Sequence, residues 1–189
     1  FLAAPLAGKM VAKLDPRAGD TQGRIYRIFP RGVKLRPVKD LTTLDTPALV
    51  AALDTPNGTT RDLVHQLLLH RNDAAAREPL EKLAATSKLP AVRVQALSVL
   101  EGTEALTPAV LLQALGDADA QVRRHAVRLC ETPMITKPEL ADACLKLVDD
   151  PDFTVRYQLA LSLGAWDDSR AATALGALAR TGMQDSWLS

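Results

Sequence analysis

Apolar side chains recur with a helical period from about residue 41 to the end of the chain. The pattern is anchored on four arginines, Arg61, Arg93, Arg123 and Arg156, which are separated by 32, 30 and 33 residues. We call these the repeat arginines. Mostly apolar residues lie one position before each of them and three and seven positions after it, which places those residues on one stripe of an α-helix. A unit repeated at this interval predicts stacked helical hairpins, an α-solenoid.

Each hairpin has signals for the start of its helices. Asn57, Asp119 and Asp152 stand four residues before a repeat arginine, where their side chains can accept the free N–H groups of a helix start. The second repeat has Pro90 instead, which suits the first position of a helix. The preceding helix of a hairpin is shorter and opens with a proline after Thr or Lys. These shorter helices are predicted at Pro47 to Leu53, Pro108 to Leu115 and Pro138 to Val148.

The repeats predict an array over residues 41–189 with four complete helix pairs, at 46–71, 73–102, 107–131 and 137–165. Residues 171–180 begin a fifth pair, whose second helix would open at 185–187. The chain starts without Met and ends inside that repeat. We therefore expect it to be a piece of a longer protein.

Residues 1–40 have a different pattern, in which polar and apolar side chains roughly alternate at 9–14 and 24–29. Turn residues follow each stretch, including Pro30-Arg31-Gly32 after the second. The pattern predicts a short β-rich segment. Because an isolated two-stranded ribbon is marginal in water, the segment is expected to be a linker or the remnant of a neighbouring domain.

Composition and charge narrow the classes of function. The 189 residues are 47% hydrophobic, which fits a globular chain and argues against disorder. No apolar stretch approaches the roughly 20 residues of a membrane span. Residues 1–40 hold nine Lys/Arg and three Asp, a net charge of +6, whereas the rest holds 14 basic and 19 acidic residues, a net charge of −5. An acidic body argues against nucleic-acid binding.

The three histidines have no spacing typical of a metal site. His65 occupies an offset from its repeat arginine that is apolar in the other repeats, which predicts a core or edge position. His70 follows five residues later, on a different helix face. His125 shares its offset with Gln95 and Gln158, which predicts an exposed side chain.

The two cysteines also have a structural interpretation. Cys130 replaces the leucines of other repeats, and Cys144 does the same in a first helix, so both are predicted to be small core residues. If the hairpin turns near Met134, the two lie about 9 Å apart along the axis. A disulfide between them is then not expected.

Five carboxylates cluster in the predicted turns, where helix capping accounts for them. They are Asp117, Asp119, Asp149, Asp150 and Asp152. The sequence contains no Gly-rich phosphate loop, no nucleophile elbow and no zinc-ligand spacing. We therefore predict no catalytic, cofactor-binding or metal-binding residues in this chain.

The outward positions of the second helices are the candidate binding surface, since stacked repeats present an extended face. This surface, which we call the second-helix ridge, consists of Gln66, Gln95, Arg124, His125, Arg128, Tyr157 and Gln158. It is mixed in charge and has one aromatic residue, whereas nucleic-acid bases prefer aromatic platforms. A protein partner therefore fits it better.

The segment Asp150-Pro151-Asp152-Phe153-Thr154-Val155-Arg156, with a second copy at 117–123, resembles the HEAT-repeat pattern. The resemblance covers about residues 41–189. It implies a mainly α fold, a HEAT-like α-α superhelix, to which the sequence adds a short N-terminal β-rich segment. HEAT repeats serve mostly as scaffolds and protein-binding surfaces, so the resemblance implies interaction rather than catalysis.

A second resemblance lies upstream, in residues 23–28, 40–42, 46–50 and 56–58. It is similar to the junction in large bacterial membrane-bound dehydrogenase proteins that join a β-propeller, HEAT repeats and a C-terminal c-type haem domain. The resemblance implies that residues 1–30 end the propeller and that the parent protein is periplasmic or exported. Because this chain has no Cys-x-x-Cys-His, it attaches no haem itself.

These observations favour a non-catalytic scaffold or protein-interaction module of a larger dehydrogenase-like protein. Its partner would be another protein or a neighbouring domain of the same polypeptide. One alternative is a part of a cofactor-binding oxidoreductase whose active site lies mostly outside this chain. The other is a HEAT array that binds nucleic acid.

Overall fold

The computed structural model describes residues 28–34, 37 and 39–182. The chain divides into two units, residues 1–39 and 40–189. In the first unit the predicted turn at Pro30-Arg31-Gly32 is confirmed: the N–H of Val33 donates to the Pro30 carbonyl at 3.3 Å. Gly32 has a φ of +83°, a left-handed conformation that favours glycine.

The predicted β-rich segment has no support in the described part of the chain. The stretch 9–14 and most of 24–29 lie outside the described residues. Ile28 and Phe29, at the end of the second stretch, have no regular secondary structure, and no strand occurs in 28–34 or 39–182.

The second unit is helical. The helices are α1 Thr46–Leu53, α2 Gly58–Arg71, α3 Arg77–Thr86, α4 Pro90–Gly102, α5 Pro108–Leu115, α6 Ala120–Leu129, α7 Pro138–Leu145, α8 Phe153–Leu163 and α9 Ser169–Gly182. First helices and second helices form two layers, because α1, α3, α5 and α7 contact one another in sequence and α2, α4, α6 and α8 do the same. The last helix, α9, packs on α8.

This arrangement is consistent with the predicted solenoid, with small differences at the helix ends. The prediction for α5 is confirmed, whereas α1 begins one residue early because Asp45 caps it. The helix predicted to end at Val148 stops at Leu145, and a 3-10 turn over Lys146–Asp149 follows. No helix among the described residues is both long and apolar enough to span a bilayer.

The predicted start signals of the second helices are confirmed. The side chains of Asn57, Asp119 and Asp152 accept N–H groups in the first turns of α2, α6 and α8 at 3.1, 2.9 and 2.8 Å. Pro90 is the first residue of α4. Each side chain satisfies an N–H group that has no partner within the helix.

The apolar stripe of the second helices forms the centre of the core. At the offset before the repeat arginine Thr60 is partly exposed, and valines occupy the other three copies. Each buried leucine contributes roughly 1.5–3 kcal/mol to stability. Eleven members of the stripe are at most 2% exposed: Val64, Leu68, Val92, Ala96, Leu100, Val122, Ala126, Cys130, Val155, Leu159 and Leu163.

The repeat arginines fasten each second helix to its own turn. In all four, Nη1 donates to the backbone carbonyl six residues upstream. These carbonyls belong to Thr55, Ser87, Asp117 and Asp150, at 2.9, 2.7, 2.9 and 2.6 Å. The guanidinium thereby satisfies carbonyls in a turn that lacks helical hydrogen bonds.

Two repeat arginines also bind the turn of the following repeat. Arg93 donates through Nε and Nη2 to Asp117 at 2.9 and 2.8 Å, and Arg123 donates in the same way to Asp150 at 2.7 and 2.8 Å. The Asp150 side chain is only 3% exposed. The hydrogen bond from Arg123 holds the pKa of Asp150 below its usual value. Such two-pronged pairs fix geometry as well as charge.

The first junction lacks this pair, because the residue six positions before Arg93 is Ser87. Arg61 donates instead to Gln95 Oε1 at 2.8 Å. The Ser87 hydroxyl donates to Asp54 at 2.7 Å, so a carboxylate is still present at this junction but on the preceding repeat.

Capping therefore explains only part of the predicted carboxylate cluster. Asp119 and Asp152 cap helices, as predicted. Asp117 and Asp150 mainly accept the arginine of the preceding repeat, and each also accepts an N–H group of its own turn. Asp149 is exposed at the end of the 3-10 turn and caps no helix.

We expect Arg123→Ala to lower the free energy of unfolding by roughly 3–5 kcal/mol, because it leaves the buried Asp150 carboxylate without its partner. Urea unfolding followed by circular dichroism at pH 7 measures the loss. The control is Arg77→Ala, which breaks the exposed Arg77–Glu81 pair and should cost about 0.5 kcal/mol. Equal losses in the two variants would contradict a structural role for the buried pair.

Candidate functional site

Four residues of the second-helix ridge line one cleft. Arg124, His125 and Arg128 of α6 and Gln158 of α8 surround a space of about 140 Å³. The remaining lining residues are Val94 of α4 and Gln121 of α6. We call this space the ridge cleft. It spans three successive second helices, so only the stacked array can form it.

Gln66 and Tyr157 lie on the ridge but do not line the cleft. Gln66 is exposed on α2, and Tyr157 is 50% exposed on α8. The Tyr157 ring packs against that of Phe153, with 5.8 Å between centroids. Tyr157 therefore offers an exposed aromatic surface one helix away from the α6 arginines.

The two ridge glutamines at the offset of His125 do not face outward freely, in contrast to the prediction. Gln95 accepts from Arg61 and donates to Asp62 Oδ1, both at 2.8 Å. Gln158 donates to Glu131, which follows the end of α6, at 3.4 Å. These bonds join neighbouring second helices, because this offset faces the preceding helix of the layer.

His125 follows the same rule, so its predicted exposure is wrong. Its Nε2 lies 2.9 Å from the hydroxyl of Ser98 on α4. Ser98 also donates to the carbonyl of Val94 at 3.1 Å. If its single proton is committed there, Ser98 accepts from Nε2–H of His125. The ring then keeps Nδ1 as an acceptor.

His125 is a neutral member of the cleft at pH 7. Burial lowers its pKa, and the positive charges of Arg128 and Arg124 lower it further, to about 4. Both the loss of solvation and the neighbouring cations disfavour the protonated ring. The positive charge of the cleft thus comes from its arginines alone.

Arg124 and Arg128 lack an anionic partner among the described residues. They lie one turn apart on α6, both exposed. Arg124 Nη1 is 3.3 Å from Gln121 Oε1, and within residues 39–182 no carboxylate lies within 4 Å of either guanidinium. The other arginines of the second helices bond to groups within the array. The pair is therefore available to a ligand.

The remaining histidines do not form a second site. His65 is half-buried on α2, and burial lowers its pKa despite the opposing charge of Asp62. His70 is exposed. In the part of the chain that the structure describes, no group of three His, Cys, Asp or Glu side chains is placed to hold a metal ion.

The predicted separation of the cysteines is wrong. Cys130 and Cys144 are both buried free thiols, and their side chains are close enough to hydrogen-bond. This bond, followed by burial, raises the pKa of Cys130. The prediction assumed a simple hairpin, but a 3-10 turn at Pro133–Ile135 lies between α6 and α7 and buries Met134. The core position predicted for both cysteines is confirmed.

Sequence reasoning missed Val94, Ser98 and Gln121, which complete the cleft or orient His125. A signal for two of them exists in the offsets. Val94 and Ser98 follow Arg93 by one and five residues, as the cleft arginines follow Arg123. In the structure these offsets of one helix face the next second helix, so each repeat builds part of its neighbour's surface.

Residues 108–185 match the family model of HEAT repeats. The match includes α6 and α8, which carry the cleft arginines and Gln158. No curated protein matches the sequence of the chain. The matched span and the two-layer helical structure support a HEAT-repeat domain, a fold that commonly mediates protein interactions and is typically non-catalytic.

The neutral state of His125 predicts a pH dependence of stability. A folded pKa below that of the unfolded chain means that the unfolded chain binds more protons between pH 6.5 and 4, so stability falls as the pH falls through this window. From pH 7 to pH 5 the contribution of His125 to this loss should be about 1–2 kcal/mol.

Urea unfolding of the wild type and of His125→Gln at pH 7 and pH 5 measures this contribution. We expect a smaller pH-dependent loss in His125→Gln. The exposed His70→Gln is the matched control and should retain the wild-type loss. A His125→Gln chain that loses as much stability as the wild type would contradict the assignment.

The cysteine environment predicts slow thiol chemistry, because the reactive species is the thiolate and both side chains are buried. In the native protein we expect 5,5′-dithiobis(2-nitrobenzoate) to label neither Cys130 nor Cys144 rapidly, whereas both should react on unfolding in urea. Absorbance of the released thionitrobenzoate gives both rates. Rapid labelling of either thiol under native conditions would contradict the buried placement.

Proposed function

We propose that this chain is a non-catalytic scaffold that binds another protein, or a neighbouring domain of its own polypeptide, through the second-helix ridge. The observation that carries the proposal is the ridge cleft, where no carboxylate of residues 39–182 pairs with the two exposed arginines, whereas the repeat arginines bond within the array. The match of residues 108–185 to HEAT repeats supports a binding role.

Several carboxylates of the types used in catalysis have structural partners. Glu131, for example, accepts from the Ser162 hydroxyl at 2.7 Å and from Gln158 at 3.4 Å. Asp117 and Asp150 are held by repeat arginines. A general acid or base must be free to exchange a proton with a substrate, and these carboxylates are committed to the array.

A protein partner fits the ridge better than a nucleic acid. Residues 41–189 carry a net charge of −5, and binding of a phosphate backbone depends on many cationic contacts. Tyr157 is the one aromatic residue of the ridge. Proteins that bind single-stranded nucleic acid usually stack successive bases on several aromatic side chains. A polar face with one aromatic anchor and two arginines is instead typical of the residues that dominate protein interfaces.

The proposal extends to the parent polypeptide. From the sequence resemblance at residues 23–28, 40–42, 46–50 and 56–58, we propose that the array belongs to a larger dehydrogenase-like protein that is periplasmic or exported. In such a protein the array would hold a propeller and a c-type haem domain in a fixed arrangement, while the redox chemistry takes place outside this chain. Residues 1–30 would then form the end of the propeller.

The ridge assignment is tested by Arg124→Ala combined with Tyr157→Ala. Loss of an arginine and a tyrosine from the centre of an interface should reduce capture of partner proteins by about tenfold or more. Proteins that co-purify with the wild-type chain from its native cells are quantified by mass spectrometry for each variant. Circular dichroism checks that the helical content is unchanged.

The matched control is Lys82→Ala combined with Leu112→Ala, which removes one exposed cation and one exposed apolar side chain from the layer of first helices. The control should retain the wild-type partners. If the ridge variant captures the same proteins at the same level, the ridge is not the binding surface.

The parent assignment has its own test. An antibody raised against this chain isolates the intact polypeptide, whose peptides and covalent haem are then identified by mass spectrometry and haem staining. A propeller upstream and a Cys-x-x-Cys-His haem site downstream are expected. An intact polypeptide without either would contradict the dehydrogenase-like parent but not the ridge.

A further inference from the structure

The ridge cleft has the features of an anion receptor. Arg124 and Arg128 project from one face of α6 at positions four residues apart, about 6 Å along the helix axis. Like charges at this spacing repel each other. Because no carboxylate of residues 39–182 pairs with them, that repulsion is not relieved within the described array.

The rest of the cleft limits what can occupy it. Val94 supplies an apolar wall, and Gln121 and Gln158 supply amide groups at its edges. The Gln121 amide also reaches Thr154 of α8 at 3.5 Å, so it connects the helices on either side of the opening. His125 adds a hydrogen-bonding ring without charge. Two guanidinium groups beside uncharged polar groups favour an anion over a cation.

The space suits a side chain better than a large ligand. A volume of about 140 Å³ is below the range of small-molecule pockets, roughly 300–1,000 Å³. It is large enough for the end of one or two side chains. Guanidinium groups present planar forks that match carboxylates with two parallel hydrogen bonds.

We propose that the ridge cleft binds an acidic segment of the partner protein, with carboxylate side chains of that segment seated on Arg124 and Arg128. The inference rests on the proposed function, because it specifies the chemistry of the partner at the same ridge. Two glutamates four residues apart on a partner helix reproduce the spacing of the arginines. Tyr157 then lies beside the ridge cleft and covers the apolar part of the segment.

Local charge, not the charge of the whole chain, selects this partner. Residues 41–189 carry a net charge of −5, so their net charge does not attract an acidic segment and the attraction is local to the arginine pair. This arrangement provides register and specificity, because a displaced segment meets like charge. The affinity for the acidic segment should fall as the salt concentration rises, since both arginines are exposed and their charges are screened.

The test uses the full chain and two fluorescein-labelled alanine-based helical peptides. One carries two glutamates four residues apart, and the other has glutamines at the same positions. Fluorescence anisotropy at low and physiological salt measures binding. We expect the glutamate peptide to bind more tightly than the glutamine peptide, and the combined Arg124→Gln and Arg128→Gln change to weaken it about tenfold.

Two further variants separate the geometry of the cleft from its charge. Lys82→Gln with Lys88→Gln removes the same number of positive charges at exposed sites elsewhere and should leave binding nearly unchanged. Arg124→Lys with Arg128→Lys keeps the charge but loses the two-pronged geometry, and it should fall between the wild type and the glutamine variant. Circular dichroism confirms that each variant is folded.

The inference is overturned if the two peptides bind equally, or if both glutamine variants of the chain weaken binding to the same extent. It is also overturned if a single-stranded oligothymidylate displaces the glutamate peptide and binds more tightly in an arginine-dependent manner. Capture of a native partner that depends on Arg124 and Tyr157, without a preference for the glutamate peptide, would reject the acidic segment and leave the proposed function standing. Loss of both dependences would reject both.

Discussion

The bond of a repeat arginine to its own turn, extended at two junctions to the aspartate of the next turn, is the directional interaction that orders the array. A helical hairpin of about 30 residues cannot bury its own stripe, so it is stable only against a neighbour. Arg93 and Arg123 each bind their own turn and the following one, which fixes the separation and rotation of successive repeats. Hydrophobic contacts between the two layers stabilise the array but are not directional, so these polar bonds set the orientation of one repeat against the next.

This stacking determines which polar residues are available. Once second helices lie side by side, one set of offsets is covered by the preceding helix, as in Gln95 and His125, and is satisfied there. Another set remains at the outer surface, where no carboxylate of residues 39–182 pairs with Arg124 or Arg128. The stacking that holds the solenoid together therefore leaves two neighbouring arginines exposed at the ridge cleft.

The array has the architecture of HEAT repeats, a fold that commonly mediates protein interactions and is typically non-catalytic. Asp117 and Asp150 are committed to arginines, Asp119 and Asp152 cap helices, and both cysteines are buried in the core. His125, which lines the ridge cleft, is held neutral by burial and by the charges of Arg128 and Arg124. The array offers a partner fixed positions and fixed charges, which is what an interaction scaffold requires.

The sequence by itself determined the helices, the buried stripe and the capping residues, because these follow from spacing along one chain and from local hydrogen bonds. It did not determine the contact of Cys130 with Cys144, the partner of His125 or the acceptors of the repeat arginines. Those contacts depend on how one repeat is oriented against the next, and a periodic sequence pattern does not specify that orientation. The tertiary structure alone decided which residues of the predicted ridge face solvent, because exposure in a solenoid is set by the neighbouring helix.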